Sequence, residues 1–356
     1  MITTAPLPCW SHLLRALWAD PVGNVSPWLR PWDTGWVMGR SAWSLAAVAQ
    51  AVAKAKGRAP RVLLPGWICN QSLWPLRQLG AELVFLPVGI DGHVEWRKAP
   101  ALGPVDMVVV VHSFGRPAPL AEARALADKH GALLVEDAAH ALAPVPGIGE
   151  AGDVVLYSPH KLLALPDGAV VVVRPRAEED WAAEIFAARA DSPQHAGKWL
   201  ARRLIQKLLP DGLRPLLPQG GQVDFLSDPS SGALPPPCRP TALSRRLMGS
   251  ADLTEEAKRR KANFAALARL APAWFEPGEA APYRFVFAPE RPAEVYARIR
   301  AARLPVESWP DLPPEVMADP GHAEGAVALR RSLLLLPVHG ALESAALARA
   351  YAKVLS

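Results

Sequence analysis

Cysteine is scarce in this chain: Cys9, Cys69 and Cys238 are the only three among 356 residues, an odd number with no C-x-x-C spacing. That excludes a disulfide framework and a zinc ribbon, and it fits a reducing compartment. No apolar run approaches the roughly 18 residues of a membrane span. The first residues carry Pro6, Pro8, Trp10 and His12 but no basic n-region, which is not the pattern of a signal peptide. Neither sign of charge dominates, since 39 Lys and Arg stand against 34 Asp and Glu for a formal +5. Nucleic-acid binding needs a basic face on a recognisable module, and an Arg-rich composition covers so small an excess. The expectation is a cytoplasmic protein with no metal site and no nucleic-acid or membrane partner.

Apolar residues make up 50% of the chain and charged residues 21%, the balance of a globular protein. At roughly 100–200 residues per domain, the length fits two domains or one large domain with a satellite. It suffices for a substantial core without staples. The 38 prolines and 13 tryptophans mark a loop-rich, rigid chain.

Residues 1–38 are Trp- and Pro-rich with little periodicity and are expected as an N-terminal arm. From residue 39 the pattern changes. SAWSLAAVAQAVAKAK (41–56) has helical spacing, and RVLLPGW, ELVFLPV, DMVVVVHSFG, ALLVEDAAHA, DVVLYS and AVVVVRP follow as buried strands with helices between the earlier ones. Val- and Leu-rich runs without alternation indicate an α/β fold with a mostly parallel sheet covered on both faces. The large domain is expected over residues 39–243, with 176–243 as an irregular excursion over the surface or towards a second subunit. Residues 244–356 read as a small α+β C-terminal domain, with strands at YRFVFAP and SLLLLPV.

Chemistry concentrates in residues 131–175. One apolar strand delivers Glu136 and Asp137 at its carboxyl end, where open α/β sheets put their ligands, and His140 follows three residues later. The next strand ends in Tyr157-Ser158-Pro159-His160-Lys161. A lysine bracketed by apolar sequence is suited to act as a nucleophilic amine able to form a Schiff base. An aldehyde cofactor such as pyridoxal phosphate would also need an acid at its ring nitrogen and hydroxyls with backbone N–H groups at its phosphate. Asp137 is the candidate acid, and Lys161 the carrier. Ser158 and the turn Gly39-Arg40-Ser41-Ala42 are the candidate phosphate ligands, and His140 bonds to or packs by the ring. Glu136 is expected to face solvent or to form a structural ion pair. His160 is expected to pack under the ring or against the sheet, and His112 and Phe114 are placed to line the pocket.

The segment VVVHSFGRPAPLAEARALADKHGALLVEDAAHALAP, with SPHK about 20 residues beyond EDAAHA, resembles the DegT-type (DegT/DnrJ/StrS) sugar aminotransferase family of fold-type I pyridoxal-phosphate enzymes. LLPGWICNQSLWPLRQLGAELVFLPVGID and RRSLLLLPVHGALESAALARAYAKVL resemble its upstream and closing segments. The likeness covers residues 39–175 closely and 244–356 loosely. It implies a seven-stranded-type sheet between helices and a homodimer, with the arm and the excursion as candidate contacts. It also implies amino transfer from a small-molecule donor to a nucleotide-linked keto sugar, in polysaccharide or secondary-metabolite synthesis. By the same resemblance Trp67 or Cys69 stacks on the cofactor ring. Three departures stand out: the gap from Ser158 to Lys161 is shorter than the family's, an S-x-H-K spacing that also resembles cysteine desulfurases; the family's Gly-Ser-Gly-Thr turn is Gly39-Arg40-Ser41-Ala42 here; and its Asn-Tyr-Arg motif is missing from 176–245. The alternatives are a lyase or desulfurase using Cys69 as nucleophile, and a non-catalytic relative of the fold.

Overall fold

Every strand expected between residues 61 and 175 forms, and a computed structural model of the chain shows how they assemble. It describes residues 2–20, 22–175, 180–187, 189–192, 196–208, 225–226 and 234–355. Nearly half of the expected excursion, including much of GQVDFLSDPSSGALPPPCRP, lies outside the described residues.

Seven strands make the large sheet: β1 (Thr34–Met38), β2 (Arg61–Pro65), β3 (Glu82–Leu86), β4 (Met107–Val111), β5 (Leu133–Ala138), β6 (Val154–Tyr157) and β7 (Ala169–Val173). Their order is β1-β7-β6-β5-β4-β2-β3. Strands β2 to β6 run parallel, and β7 is antiparallel to both β6 and β1. The strands read as unbroken apolar runs because both faces are covered. Val62, Leu64, Met107 and Val109 pack on one side with Leu45, Val48 and Val52 of α2 (Ser41–Lys56). Leu63, Val108, Val110 and Leu134 pack on the other with Ala123 and Ala127 of α4 (Ala121–His130), the next helix after the short α3 (Trp74–Gln78). Successive side chains of a strand point to opposite faces, so a doubly covered strand is apolar throughout.

The stretch expected as an arm is more ordered than that expectation. It contains α1 (Trp10–Trp18), and its last five residues form β1, hydrogen-bonded from Thr34↔Val173 to Met38↔Ala169. A five-residue edge strand paired to only one neighbour leaves little periodic signal, and β7 supplies its partner.

After β6 comes the one-turn α5 (Pro159–Leu162), and after β7 come α6 (Asp180–Ala187), α7 (Gly197–Leu208) and α8 (Ala242–Gly249). The C-terminal part begins with α9 (Leu253–Ala268), whose first turn is capped by Asp252 accepting from Glu255 N–H at 2.9 Å. An antiparallel pair, β8 (Arg284–Phe287) and β9 (Leu334–Pro337), lies with α10 (Pro292–Ala301), α11 (Pro314–Ala318), α12 (Ala328–Ser332) and α13 (Ser344–Leu355). Phe264, Phe285, Ile299, Leu336 and Tyr351 share its core, and Phe114 and Trp67 of the large sheet reach into the same cluster. The two parts are thus joined by a continuous apolar seam beside the carboxyl ends of the large sheet.

Candidate functional site

A cleft of about 510 Å³ opens at those carboxyl ends. The segments leaving β2, β4, β5 and β6, the start of α2 and the segment between α10 and α11 converge there, placing Cys69, Phe114, His140, Lys161, Ser41 and Trp309 in its wall. Each strand is stopped by local chemistry. Pro65-Gly66 ends β2, and Pro159 starts α5 at a first-turn position, where its missing N–H costs nothing. Beyond β4, Phe114 adopts φ 61° and Gly115 φ 83°. A Cβ on Gly115 would sit 2.9 Å from the carbonyl oxygens of both His140 and Ala281, so glycine is required for these loops to meet.

His140 and Lys161 face each other, with His140 Nε2 3.2 Å from Lys161 Nζ. The other ring nitrogen, Nδ1, accepts the Phe114 N–H at 3.2 Å, so the neutral ring carries its proton on Nε2, towards the lysine. Burial, with the charges of Lys161 and Arg284, holds the imidazole well below the ordinary histidine range and keeps it neutral. Tyr283 stacks on it at 4.3 Å between ring centroids and 5° between planes. The Arg284 guanidinium lies 4.1 Å from the Tyr283 centroid and is fixed by Glu307 at 2.7 Å. The histidine is therefore locked in orientation by the Phe114 N–H and by stacking on Tyr283, with the Phe114 ring nearly parallel at 6.0 Å.

Asp137 does not itself line the cleft. Its carboxylate accepts the Ala139 N–H at 3.0 Å and interacts electrostatically with Lys161. Desolvation raises it above the usual carboxyl range, and the Lys161 charge opposes that shift. A cationic group beside it would favour the carboxylate further.

At the other side of the cleft the N-terminus of α2 presents Arg40, Ser41 and Ala42. A 16-residue helix carries unsatisfied N–H groups and partial positive charge at this end, a ready site for an anion. Ser158 donates its hydroxyl to Ser41 at 2.7 Å. Fully buried, it lies behind Ser41 and orients the Ser41 hydroxyl; it is not itself in the wall. His160 lines the cleft and bonds through Nδ1 to the Gly168 carbonyl at 2.7 Å; burial lowers it to about 4.

The packing corrects one further expectation, for Trp67, and decides another, making Glu136 the structural ion pair and not a solvent-facing group. Trp67, read as a stacking residue, is 1% exposed and stacks on Trp309 at 4.2 Å, so it is Trp309 that shows an aromatic surface to the cleft. Glu136 does not face solvent. It is fully buried and accepts from His112 Nε2 (2.9 Å) and from the N–H groups of Gly149 (2.6 Å), Ala151 (2.8 Å) and Gly152 (2.5 Å). His112, expected at the pocket, is consumed by this buried pair, whereas Phe114 does reach the cleft. Cys69 also reaches it, but burial, followed by the nearby Asp311, pushes its thiol up to about 11, and the thiol donates to Asp311 Oδ1 at 3.4 Å. A protonated thiol is a poor nucleophile.

Sequence reasoning brings Lys161, His140, Ser41, Ala42 and Cys69 into one wall, with Asp137 and Ser158 just behind it. It missed Tyr283 and Trp309. Tyr283 adjoins a strand the sequence does show, so strand-end position could have marked it. Trp309 stands in an irregular stretch with no periodic signal.

Residues 89–196 match the model of the DegT/DnrJ/EryC1/StrS aminotransferase family, which bears out the resemblance carried by that part of the sequence. Among solved structures the chain is similar to DesI in the presence of its TDP-sugar product, at 19% identity over 99% of this chain and 92% of that one, TM-score 0.67. It is similar to DesV of S. venezuelae at 20% identity over 90% and 85%, TM-score 0.60. A third is E. coli GDP-4-keto-6-deoxy-D-mannose-3-dehydratase with bound hydrated PLP, at 13% identity over 100% of both chains, TM-score 0.66. At these identities the likeness establishes the fold, that of the fold-type I pyridoxal-phosphate enzymes. No curated protein matches the chain.

Proposed function

We propose that this chain is a pyridoxal-phosphate aminotransferase that moves an amino group from a small-molecule donor such as glutamate to a nucleotide-linked keto sugar, in polysaccharide or secondary-metabolite synthesis. The observation that carries the reading is the Lys161–His140 contact at the carboxyl ends of the sheet, with an anion-ready helix terminus in the same cleft. The residues present fit the cofactor. Lys161 would carry it, and Ser41 and the first N–H groups of α2, with the Arg40 charge, would take its phosphate. Asp137 would take its ring nitrogen, and Trp309 and Tyr283 supply aromatic walls. When bound, pyridoxal phosphate supplies an electron sink that makes a substrate C–H bond acidic.

The chain's own groups then have defined tasks. Lys161 Nζ, 3.2 Å from His140 Nε2, is placed to take and return a proton. His140 stays neutral and, held by Phe114 and Tyr283, fixes where that nitrogen sits. The apolar seam of Phe114, Trp309 and Val306 keeps bulk water from one side of the cleft. The protonated Cys69 speaks against the desulfurase alternative. The protein is further read as a cytoplasmic homodimer.

The test is an absorption spectrum of purified protein with pyridoxal phosphate before and after borohydride, beside Lys161→Ala. A visible band that borohydride fixes as a pyridoxyl adduct on the Lys161 peptide, and that the variant lacks, is expected. Formation of 2-oxoglutarate from glutamate with a nucleotide-linked keto sugar is expected to follow. A protein that stays colourless refutes the reading and leaves the non-catalytic relative. Sulfide release from cysteine would replace it with the desulfurase. Light scattering after size-exclusion chromatography checks the dimer.

A further inference from the structure

Two amphipathic helices carry an apolar surface that the fold does not use. In α1, His12 and Ala16 are buried, and His12 Nε2 bonds to the Leu247 carbonyl at 2.7 Å, fixing that side against α8. The opposite stripe, Trp10, Leu14, Leu17 and Trp18, recurs at i, i+4, i+7 and i+8 and points outward, with Trp18 90%, Leu17 65% and Leu14 62% exposed. Nearby, α7 has no buried residue and exposes Ile205 and Leu208. The two helices are tied together: Lys207 of α7 donates to the Pro8 carbonyl at 2.9 Å and sits 5.5 Å from the Trp10 ring centroid.

The charge on the two helices themselves is of one sign, while around them the exposed Asp20 follows Trp18 by two residues and Asp252 lines a groove with Arg15 and Lys207. WSHLLRALW and GKWLARRLIQKL contain Arg15, Lys198, Arg202, Arg203 and Lys207 and no carboxylate. The nearest acidic side chains on a packed helix, Glu255 and Glu256 of α9, are paired with Arg259 and Arg260 at 2.7 Å each. The arm and the excursion, to which α1 and α7 belong, are also the expected contacts of a dimer. A two-fold contact through this patch, however, would set its cations against one another, which disfavours a second copy here and leaves the dimer contact to other parts of those segments. Exposed Trp and Leu flanked by Lys and Arg, on helices lying along the surface, suit the boundary of a bilayer with anionic headgroups.

We propose that α1 and α7 form a docking face for an anionic membrane surface, so that the protein works as a peripheral enzyme. No helix among the described residues is long and apolar enough to cross a membrane, and none is needed. A reading for spans finds no membrane partner, whereas this face exists only once α7 meets the start of α1 through Lys207 at Pro8 and Trp10. The proposal is independent of the cofactor chemistry.

The test is co-sedimentation of the full-length protein with vesicles of phosphatidylcholine containing phosphatidylglycerol, against phosphatidylcholine alone, with sedimentation velocity run in parallel. Binding to the anionic vesicles that weakens with salt is expected. Arg202→Glu, which leaves the apolar stripe intact, should weaken it by more than about fivefold, the worth of one surface cation. The pair Leu14→Ser and Trp18→Ser, both exposed and outside the cleft, should weaken it by about tenfold or more. Equal binding to the two vesicle types, no binding, or unchanged binding by the variants would overturn the proposal. So would a drop of the double variant from dimer to monomer with vesicle binding retained, which would assign the face to a second copy.

Discussion

Replacing Glu136 by glutamine tests whether the candidate site rests on the buried carboxylate directly behind it. Glu136 precedes Asp137 on β5 and holds the loop of Gly149 to Gly152, together with His112, by four hydrogen bonds. Oε2 accepts from His112 and Gly149, and Oε1 from Ala151 and Gly152. Burial raises the carboxyl, but His112 and the backbone N–H groups outweigh it and hold the group below its usual range. Glutamine has the same shape but one acceptor atom, so its amide NH₂ must face one pair of donors. Two hydrogen bonds to a buried charge are lost, at about 1.5–3 kcal/mol each, or roughly 3–6 kcal/mol in all. Against a total stability of about 5–15 kcal/mol, that is a large part of the fold. Urea unfolding followed by tryptophan fluorescence should show an unfolding free energy lowered by that amount at pH 7. The loss should shrink on acidification, because the depressed carboxyl contributes stability above its unfolded value that disappears as pH falls through the folded one. A change below about 1 kcal/mol would refute the four-donor arrangement, since no such cluster can lose half its acceptors so cheaply.

Further outcomes follow from the same geometry. Cys69→Ser should leave amino transfer within about twofold, because a thiol held near 11 takes no part as a nucleophile; a loss of activity with cofactor still bound would restore the desulfurase reading. His140→Ala should lower kcat by about a hundredfold or more while cofactor absorbance persists, as expected for a group that sets the position of the proton-carrying amine. Acid should destabilise the protein through His160. Its folded value of about 4 lies below the ordinary 6.5, so stability is lost as pH falls from 6.5 towards 4, by up to roughly 3 kcal/mol. His160→Gln, which can still donate to Gly168, should flatten that dependence in urea unfolding between pH 7 and 4.5.

What the sequence alone determined is what local pattern can encode. The apolar runs of β2 to β7 are legible because strands covered on both faces need no polar alternation. Asp137, His140 and Lys161 are legible because strand ends with fixed short spacings bring their side chains to one sheet edge. The identity of the resemblance came from the same stretch. Tertiary structure decided the rest. β1 exists because β7 offers it a free edge, a pairing with no local signal. Glu136 and Asp137, neighbours in one strand, differ in role because the pleat turns one into a loop of backbone donors and the other towards the lysine. Trp67 lost the cleft to Trp309, since which of two stacked indoles faces the cavity depends on how the C-terminal part docks. The basic, apolar face of α1 and α7 likewise arises from two segments about 180 residues apart. Each of these depends on which surfaces meet, and that is a property of the packed chain.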